Sequence, residues 1–426
     1  MGAAREIARF VAGSVRLVLR GNAAYWAWLA LLLLLIASGL SAYLGQLRAG
    51  LIITAMRDQV SWAFYIGNFT FLVGVAAAAV ILVIPAYVYD WKPIRQLVVY
   101  GELLALSAIV MCFLFVLVDI GHPERVWHLI PKIGHLNFPS SILAWDVIVL
   151  NVYFVINFLV VTHILYRAFT GRPYAKRFVL PMVLLSIPMA VAIHTVTAFL
   201  YNGLAARPYW NASILAPQFL ASAFCSGPAI LLFMLQLLRR LTRFEIQQEA
   251  IWKIAELMAY AMFLNLFLHG VEAFKEYYSD THHLLYTRYW YSGLGDHRTL
   301  VPYAWSAVGL NLAAFVLFII PAARRHWLTL NLGCLATYAG VYIEKGMGLI
   351  IPGLTPDTLG EIYEYYPTGT ELRIAAGIFA IGFLVFTLML KVAVPISLGE
   401  FRVDRDARQE TLEGLWKQAG ARGPHG

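Results

Sequence analysis

The chain has 426 residues and a formal net charge of +8. Its residues are 60% hydrophobic and only 13% charged, and the mean hydropathy is +0.69. Because soluble domains carry about 25% charged residues, this composition excludes a soluble globular protein and indicates that lipid is the main solvent. We assign the basic balance to membrane orientation and anionic headgroups, and not to nucleic acid.

The first predicted element, at residues 1–24, places arginines beside apolar residues at helical spacing. This pattern predicts an amphipathic helix on the cytoplasmic membrane surface. Ten apolar runs of spanning length follow, and each is predicted to be a helix because lipid offers the backbone no other hydrogen-bond partners. The predicted spans are Tyr25–Leu47, Ser61–Tyr89, Ile94–Val118, Leu143–Tyr166, Phe178–Tyr201, Ala212–Leu238, Ile251–Val271, Leu300–Ile320, Leu328–Ile350 and Leu372–Val394.

Lys and Arg are concentrated in every second connection, at residues 5–20, 92–95, 167–177, 239–253, 324–325 and 402–408. The other connections hold more acids, including Asp357 and Glu361. An excess of Lys and Arg marks the cytoplasmic side, so we expect both termini in the cytoplasm of a prokaryotic cell.

Four of the helices are predicted to occur twice. Three short matches carry this prediction, because they come in the same order and at nearly one spacing. They are Gly74-Val75-Ala76 with Gly227-Pro228-Ala229, Glu102-Leu103-Leu104-Ala105 with Glu256-Leu257-Met258-Ala259, and Ala144-Trp145 with Ala304-Trp305, which are followed at the same spacing by Leu150-Asn151 and Leu310-Asn311. Chance similarity among apolar residues is the alternative.

The predicted fold is therefore an all-α integral membrane protein with two parallel four-helix bundles, at residues 61–211 and 212–371. The first helix and its outer loop at 25–60 and the tenth helix at 372–398 flank the bundles. A cytoplasmic tail occupies residues 399–426.

Ionisable side chains collect near the predicted outer membrane face. A charged group within hydrocarbon costs about 2.5–3.5 kcal/mol on insertion scales, so it is expected to face a partner or a polar cavity. For Asp146 and His194 we favour a functional role; for His269 and Lys345 we favour a structural one, with Lys345 paired to Glu344. The full cluster is Asp119, His122, Asp146, His194, Tyr201, Arg207, His269, Glu272, Tyr277, Tyr278, Glu344 and Lys345.

Quinone chemistry fits such a cluster. Histidine titrates near neutral pH, and burial pushes a carboxyl toward the same range, so both can exchange the protons of a quinol. The three cysteines lie inside predicted helices without a CxxC pair, which indicates no Fe–S or zinc motif. A haem between His194 and His269 is the less favoured alternative.

Without a cofactor of its own, the chain needs a redox partner. Two long aromatic outer connections, Tyr277–His297 and Pro352–Thr370, are predicted to contact it, because aromatic surface is typical of interfaces. The first connection contains Tyr286, Tyr289, Trp290 and Tyr291. An interfacial aromatic belt is the alternative interpretation.

Several motifs resemble the membrane subunits of the NrfD/polysulfide-reductase family. They are Asp119-Ile-Gly-His-Pro-Glu-Arg-Val-Trp127, Ser140-Ser-Ile-Leu-Ala-Trp-Asp146, Ala206-Arg-Pro-Tyr-Trp210, Ile214-Leu-Ala-Pro217 and Ser226-Gly227. Glu344-Lys-Gly346, Ile351-Pro-Gly353 and Leu359-Gly-Glu-Ile-Tyr-Glu-Tyr365 are similar to the ten-helix branch of DsrP- and HmeC-like subunits.

The resemblance implies a menaquinone-binding subunit without haem or Fe–S cluster, partnered by a ferredoxin-like Fe–S protein on the periplasmic side. A multihaem cytochrome c and a second membrane subunit are further implied partners, in sulfur metabolism and anaerobic respiration. Carried onto this chain, the family's pocket points to Asp119, Asp146 and His194 as catalytic residues. His122, Glu272, Glu344, Arg207 and Tyr201 are the further expected quinone contacts. The first helix lacks a histidine, so contacts from that helix do not transfer.

Two other functions remain open at this point. Parallel repeats and buried carboxylates also suit a secondary transporter, although the polar groups cluster at one face and no mid-depth break occurs in both halves. A passive anchor for a redox complex is the third possibility.

Overall fold

The computed structural model describes residues 3–89 and 91–403 of the chain. The part of the predicted cytoplasmic tail that holds Arg405 and Arg408 lies outside the described residues. The helices are α1 (Ala3–Val18), α2 (Ala23–Ala49), α3 (Phe64–Ala76), α4 (Ala78–Val83), α5 (Lys92–Arg95), α6 (Val98–Asp119), α7 (Ile142–Phe169), α8 (Lys176–Asn202), α9 (Leu215–Leu241), α10 (Gln248–Ser279), α11 (Leu284–Tyr291), α12 (Val301–Ile319), α13 (Pro321–Arg325), α14 (Trp327–Tyr342), α15 (Gly348–Leu354) and α16 (Gly369–Ser397).

Within the described residues, nine helices are long and apolar enough to cross a membrane, which confirms the predicted all-α multi-pass class. The run Phe64–Tyr87, which includes α3 and α4, counts as one of them. The ninth predicted span, at residues 328–350, instead forms α14, a π-helical turn at Ile343–Met347 and α15 in succession. Because the π turn divides this run, neither α14 nor α15 alone reaches spanning length.

The helices of the two predicted repeats form two rings. In the first ring α3, α6, α7 and α8 pack on one another in chain order, and in the second α9, α10, α12 and α14 do the same. Contacts of α9 with α3 and α8 join the two rings, and α3 also packs against the π turn. The shared order is the one that a duplication of four helices would produce.

The two flanking helices, α2 and α16, pack on each other, and α16 also packs on α6 of the first ring. Their backbones approach closely at two glycines: a Cβ added to Gly39 would lie 2.8 Å from the Cα atom of Gly377. Small residues at such a crossing are typical of helix association in membranes.

At the predicted outer end, the connections cover the second ring. Trp210 is fully buried, and its Nε1 donates to the carbonyl oxygen of Leu349 over 2.8 Å. Helix α11 packs on α12 and α15. At the opposite end, the aromatic ring of Phe10 on α1 packs on Tyr166 and Phe169 of α7.

Candidate functional site

A partly open cavity lies in the second ring, between α9, α10 and the π turn, with α11 at its side. Its empty space is about 670 Å³, including the open mouth. The lining residues are Tyr209, Leu215, Gln218, Phe219, Ser222, His269, Glu272, Ala273, Thr287, Trp290, Tyr291, Glu344, Lys345, Gly348 and Leu349.

A histidine–carboxylate pair lines this cavity. The Nε2 atom of His269 lies 3.0 Å from the Oε1 atom of Glu344. The Nδ1 atom of His269 lies 2.8 Å from the carbonyl oxygen of Asn265, one helical turn earlier. Since a carbonyl only accepts, Nδ1 carries a proton, and the contact between Nε2 and Oε1 must hold a second one. The pair can therefore exchange a proton with a bound molecule.

A second carboxylate and a lysine line the same cavity. The Nε2 atom of Gln218 on α9 donates to Glu272 Oε2 over 2.7 Å. Lys345 is only 4% exposed, and its Nζ donates to the Phe219 carbonyl oxygen over 3.1 Å. The same Nζ lies 4.4 Å from the centre of the Phe219 ring, which is a cation–π contact. The structure thus corrects the predicted pairing, because His269 and not Lys345 forms the ion pair with Glu344.

The π turn explains how two consecutive charged residues face one cavity. Glu344 and Lys345 both lie in Ile343–Met347, where the wider helical turn changes the direction of successive side chains. Such π turns occur frequently at functional sites. Glu344 reaches α10 and α12, while Lys345 reaches α9.

Aromatic side chains complete the walls of the cavity. The hydroxyl of Tyr209 donates to the Gly348 carbonyl oxygen over 3.3 Å. Burial, reinforced by the negative charge of Glu272, raises the pKa of Tyr209 well above its ordinary value, so this hydroxyl stays protonated. A Cβ on Gly348 would lie 2.6 Å from the Trp290 ring, which shows how closely α11 covers the π turn.

This arrangement corrects one prediction about the outer surface. Tyr286, Tyr289 and Trp290 were expected to face a partner protein, but they are 3%, 1% and 4% exposed. Their apolar rings are buried because α11 folds back on α12 and α15. Trp290 and Tyr291 therefore serve as walls of the cavity.

Of the predicted site residues, Glu272 and Glu344 line the cavity, whereas Asp146 and His194 lie in the first ring. Thr197 Oγ1 donates to Asp146 Oδ1 over 2.7 Å, and Thr197 is one helical turn beyond His194. His194 is fully buried, and its Nδ1 lies 2.8 Å from the Ala190 carbonyl oxygen. Its Nε2 is buried without a partner among the described residues.

The other predicted residues are spread along the outer end. Asp119 ends α6, and its Oδ1 is buried without a partner in the described part of the chain. Tyr201 shares a hydrogen bond with Thr70 between α8 and α3. Arg207 donates from Nη1 to the Leu354 carbonyl oxygen over 3.0 Å.

His122 also lies outside the cavity, and most of its side chain is exposed. Its Nδ1 lies 2.9 Å from Glu124 Oε1, and 65% of its side chain is exposed. A backbone hydrogen bond and then the contact with His122 lower the pKa of Glu124. Tyr277 and Tyr278, at the end of α10, are 45% and 81% exposed and lie outside the cavity lining.

Sequence reasoning assigned His269 and Lys345 to structural roles and did not select Gln218, although all three line the cavity. One signal was available for His269: it precedes Glu272 by three positions, which places both side chains on one face of a helix. Both ring nitrogens of His269 have protein partners, which disfavours the alternative haem ligation.

The fold and the cavity define a multi-pass helical membrane protein with titratable groups gathered in one bundle. A family model described as "Polysulphide reductase, NrfD" matches residues 52–356. The chain belongs to this NrfD polysulphide reductase family.

Three relatives cover most of the chain. A protein of Halobacterium salinarum, provisionally named as a membrane subunit of dimethyl sulfoxide reductase, is 25% identical over 84% of this chain and 88% of its own length. A selenate reductase subunit of Mesobacillus selenatarsenatis is 23% identical over 82% of this chain and 89% of its own length. The Hdr-like menaquinol oxidoreductase integral membrane subunit of Archaeoglobus fulgidus is 24% identical over 86% of this chain and 93% of its own length. The relatives are therefore subunits of oxidoreductase complexes.

Proposed function

We propose that this chain is the quinone-interacting membrane subunit of a respiratory redox complex. It exchanges electrons between menaquinol or menaquinone and an iron–sulfur partner on the periplasmic side, in sulfur-compound metabolism. The observation that carries the proposal is the cavity in which the His269–Glu344 pair, Glu272 and Lys345 meet aromatic walls. The menaquinol oxidoreductase subunit among the relatives supports the choice of substrate.

The cavity offers a titratable group for each of the two oxygens of a quinone ring. Oxidation of a quinol to a quinone removes two protons and two electrons, and reduction returns them. Glu272 exchanges one proton with one oxygen of the ring, and the His269–Glu344 pair exchanges the other. Tyr209 and Trp290 contact the flat ring, and the electrons pass to the partner's redox centre.

Three predicted catalytic residues, Asp146, His194 and Asp119, lie outside the cavity lining. We propose that they hold protons beyond the quinone ring. The unpartnered Oδ1 of Asp119 and Nε2 of His194 support this role, because a buried polar atom without a partner costs about 1–3 kcal/mol and persists where function requires it.

The test uses the purified complex with menadiol as the electron donor, and the fluorescent quinol analogue 2-heptyl-4-hydroxyquinoline N-oxide (HQNO) as the binding probe. We expect saturable quenching of HQNO by the wild-type protein. Glu272→Gln and Glu344→Gln should each lower quinol turnover about a hundredfold, the effect of removing a general acid or base. Asp146→Asn should do the same without loss of assembly, because its amide oxygen still accepts from Thr197 Oγ1.

Glu249→Gln is the matched control, since Glu249 is exposed at the opposite end of α10. The proposal fails if HQNO does not bind saturably, or if the two cavity variants turn over like the control. Turnover of D146N at the control rate would make Asp146 a structural residue. Substrate uptake by proteoliposomes without any redox partner would favour a transporter instead.

A further inference from the structure

Two buried asparagines from different helices converge on Glu344. The Nδ2 atom of Asn311 on α12 donates to Glu344 Oε2 over 2.6 Å. The Nδ2 atom of Asn265 on α10 donates to Glu344 Oε1 over 3.3 Å. Both asparagines are fully buried. Together with His269, these asparagines place hydrogen-bond donors at both oxygens of the Glu344 carboxylate.

The position of Asn311 is fixed by the packing of the next helix. A Cβ added to Gly340 on α14 would lie 2.2 Å from the Oδ1 atom of Asn311. Only glycine therefore permits the close approach of α14 that holds this side chain in place. The packing directs the amide nitrogen toward Glu344 and leaves little freedom for another orientation.

The asparagines are poorly explained as contributions to folding. The Oδ1 atoms of Asn265 and Asn311 are both buried without a partner in the described part of the chain. An unsatisfied buried acceptor destabilises the fold, whereas an apolar residue of the same shape would remove that penalty. The favourable contacts of both side chains are concentrated on Glu344.

An amide nitrogen can only donate, so it stabilises a carboxylate and not the hydroxyl oxygen of a carboxylic acid. Two such donors on Glu344 therefore favour its ionised form inside the bundle. The proton of the His269–Glu344 contact then resides on His269, whose Nδ1 already donates to the Asn265 carbonyl oxygen.

We propose that Asn265 and Asn311 are positioning residues that keep Glu344 ionised and aimed at His269, so that His269 carries the exchangeable proton at the cavity. This inference rests on the proposed function only for the identity of the bound molecule. The hydrogen-bond arrangement itself defines which member of the pair holds the proton.

The first ring offers a matched control position. In the predicted duplication, Asn151 on α7 corresponds to Asn311 on α12. Asn151 is exposed, and its Nδ2 donates to the carbonyl oxygen of Val147 in its own helix over 2.8 Å. The same substitution at Asn151 therefore changes a similar helix without touching a carboxylate.

The experiment compares Asn311→Leu, Asn265→Leu and Asn151→Leu in the full chain by infrared spectroscopy at neutral pH. The band of a protonated carboxylic acid, assigned to Glu344 by its loss in Glu344→Gln, should grow in N311L. We expect about a tenfold rise in the ratio of protonated to ionised Glu344, because a hydrogen bond to a charged group is lost. N265L should show a smaller rise, since its contact is longer, and N151L should show none. Asn311→Ser provides a second variant should N311L fail to fold.

HQNO binding by the same samples separates the two proposals. An enhanced band in N311L, combined with no HQNO binding even by the wild-type chain, would sustain the positioning role and refute the quinone function. An unchanged band in both N311L and N265L would overturn the positioning role, whatever the quinone affinity. Loss of HQNO binding in N311L without an enhanced band would also overturn it, because a purely structural residue behaves in that way.

Discussion

The charged side chains of the cavity balance one another in formal charge. His269 and Lys345 are two basic groups, and Glu272 and Glu344 are two acidic ones, so the set is balanced when all four are ionised. A balanced set is less costly to bury than isolated charges, and it gives a polar ligand both donors and acceptors. Lys345 differs from the other three because it contacts a carbonyl and a ring and forms no described ion pair.

We expect Lys345→Met to fold and to lose affinity for HQNO by about tenfold. The methionine fills a similar volume, whereas the positive hydrogen-bond donor at the cavity wall is lost, and such bonds contribute about 1.5–3 kcal/mol. Fluorescence quenching by the purified chain measures the change. Lys275→Met is the control, because Lys275 lies on α10 outside the cavity lining and 52% of its side chain is exposed. Equal affinities for the two variants would show that Lys345 does not contact the ligand.

For single residues, the sequence predicts which ionisable side chains belong to the site better than it predicts the partner that each side chain contacts. An ionisable side chain inside an apolar run is visible in the sequence, which is how Glu272 and Glu344 were selected. The partner of each group depends on helix rotation and packing. Lys345 follows Glu344 directly, but the π turn directs it to α9, and no local pattern indicates that turn.

Among the elements, helix packing around small residues determines how closely the flanking helices approach. Gly39 and Gly377 permit the backbones of α2 and α16 to touch, whereas Gly45, six residues further along α2, has no atom within 4 Å of an added Cβ. The same helix therefore carries one constrained and one free glycine.

We expect Gly39→Ala to lower the thermal stability of the chain and Gly45→Ala to leave it unchanged or slightly higher. The added methyl of G39A meets backbone atoms at 2.8 and 2.9 Å, and overpacking of this kind costs about 1–3 kcal/mol. The methyl of G45A meets open space and improves helix propensity. Thermal unfolding in detergent measures both. A stability for G39A equal to that of G45A would contradict the close crossing.

Helix existence was predicted well, because long apolar runs in lipid have one structural solution. Helix ends were predicted less well. Helix α10 was expected to end at Val271 but extends to Ser279, since its outer extension is polar and carries no hydropathy signal. The break within residues 328–350 was also missed, because a π turn leaves the apolar pattern intact.

Over the whole molecule, the two rings share one packing order, yet they differ in what they carry. The second ring holds the cavity, with His269 and Glu272 on α10. The first ring holds Asp146 and His194, which are buried beside Thr197 and Ala190. We propose that an ancestral bundle duplicated and that its copies then diverged, one toward ligand binding and the other toward proton storage. Asn311 and its counterpart Asn151 illustrate that divergence in a single pair of residues.

The cavity lies near the end of the bundle that we assign to the outer face. The proposed transfer of electrons to a periplasmic partner therefore depends on the orientation of the chain. The three native cysteines are all buried, which leaves a low background for cysteine labelling. Leu359, in the connection before α16, is 84% exposed, and Glu245 is exposed in the connection between α9 and α10. These two positions report on opposite ends of the molecule.

We expect Leu359→Cys to react with a membrane-impermeant maleimide in spheroplasts, and Glu245→Cys to react only after the membrane is permeabilised. The physical reason is the excess of Lys and Arg at the end that carries Glu245, which we expect to keep that end in the cytoplasm. Gel shift of the labelled chain measures the reaction. The reverse pattern would place the cavity on the cytoplasmic side, and electrons from a quinol would then leave toward a cytoplasmic partner, which would refute the periplasmic assignment while leaving the cavity chemistry intact.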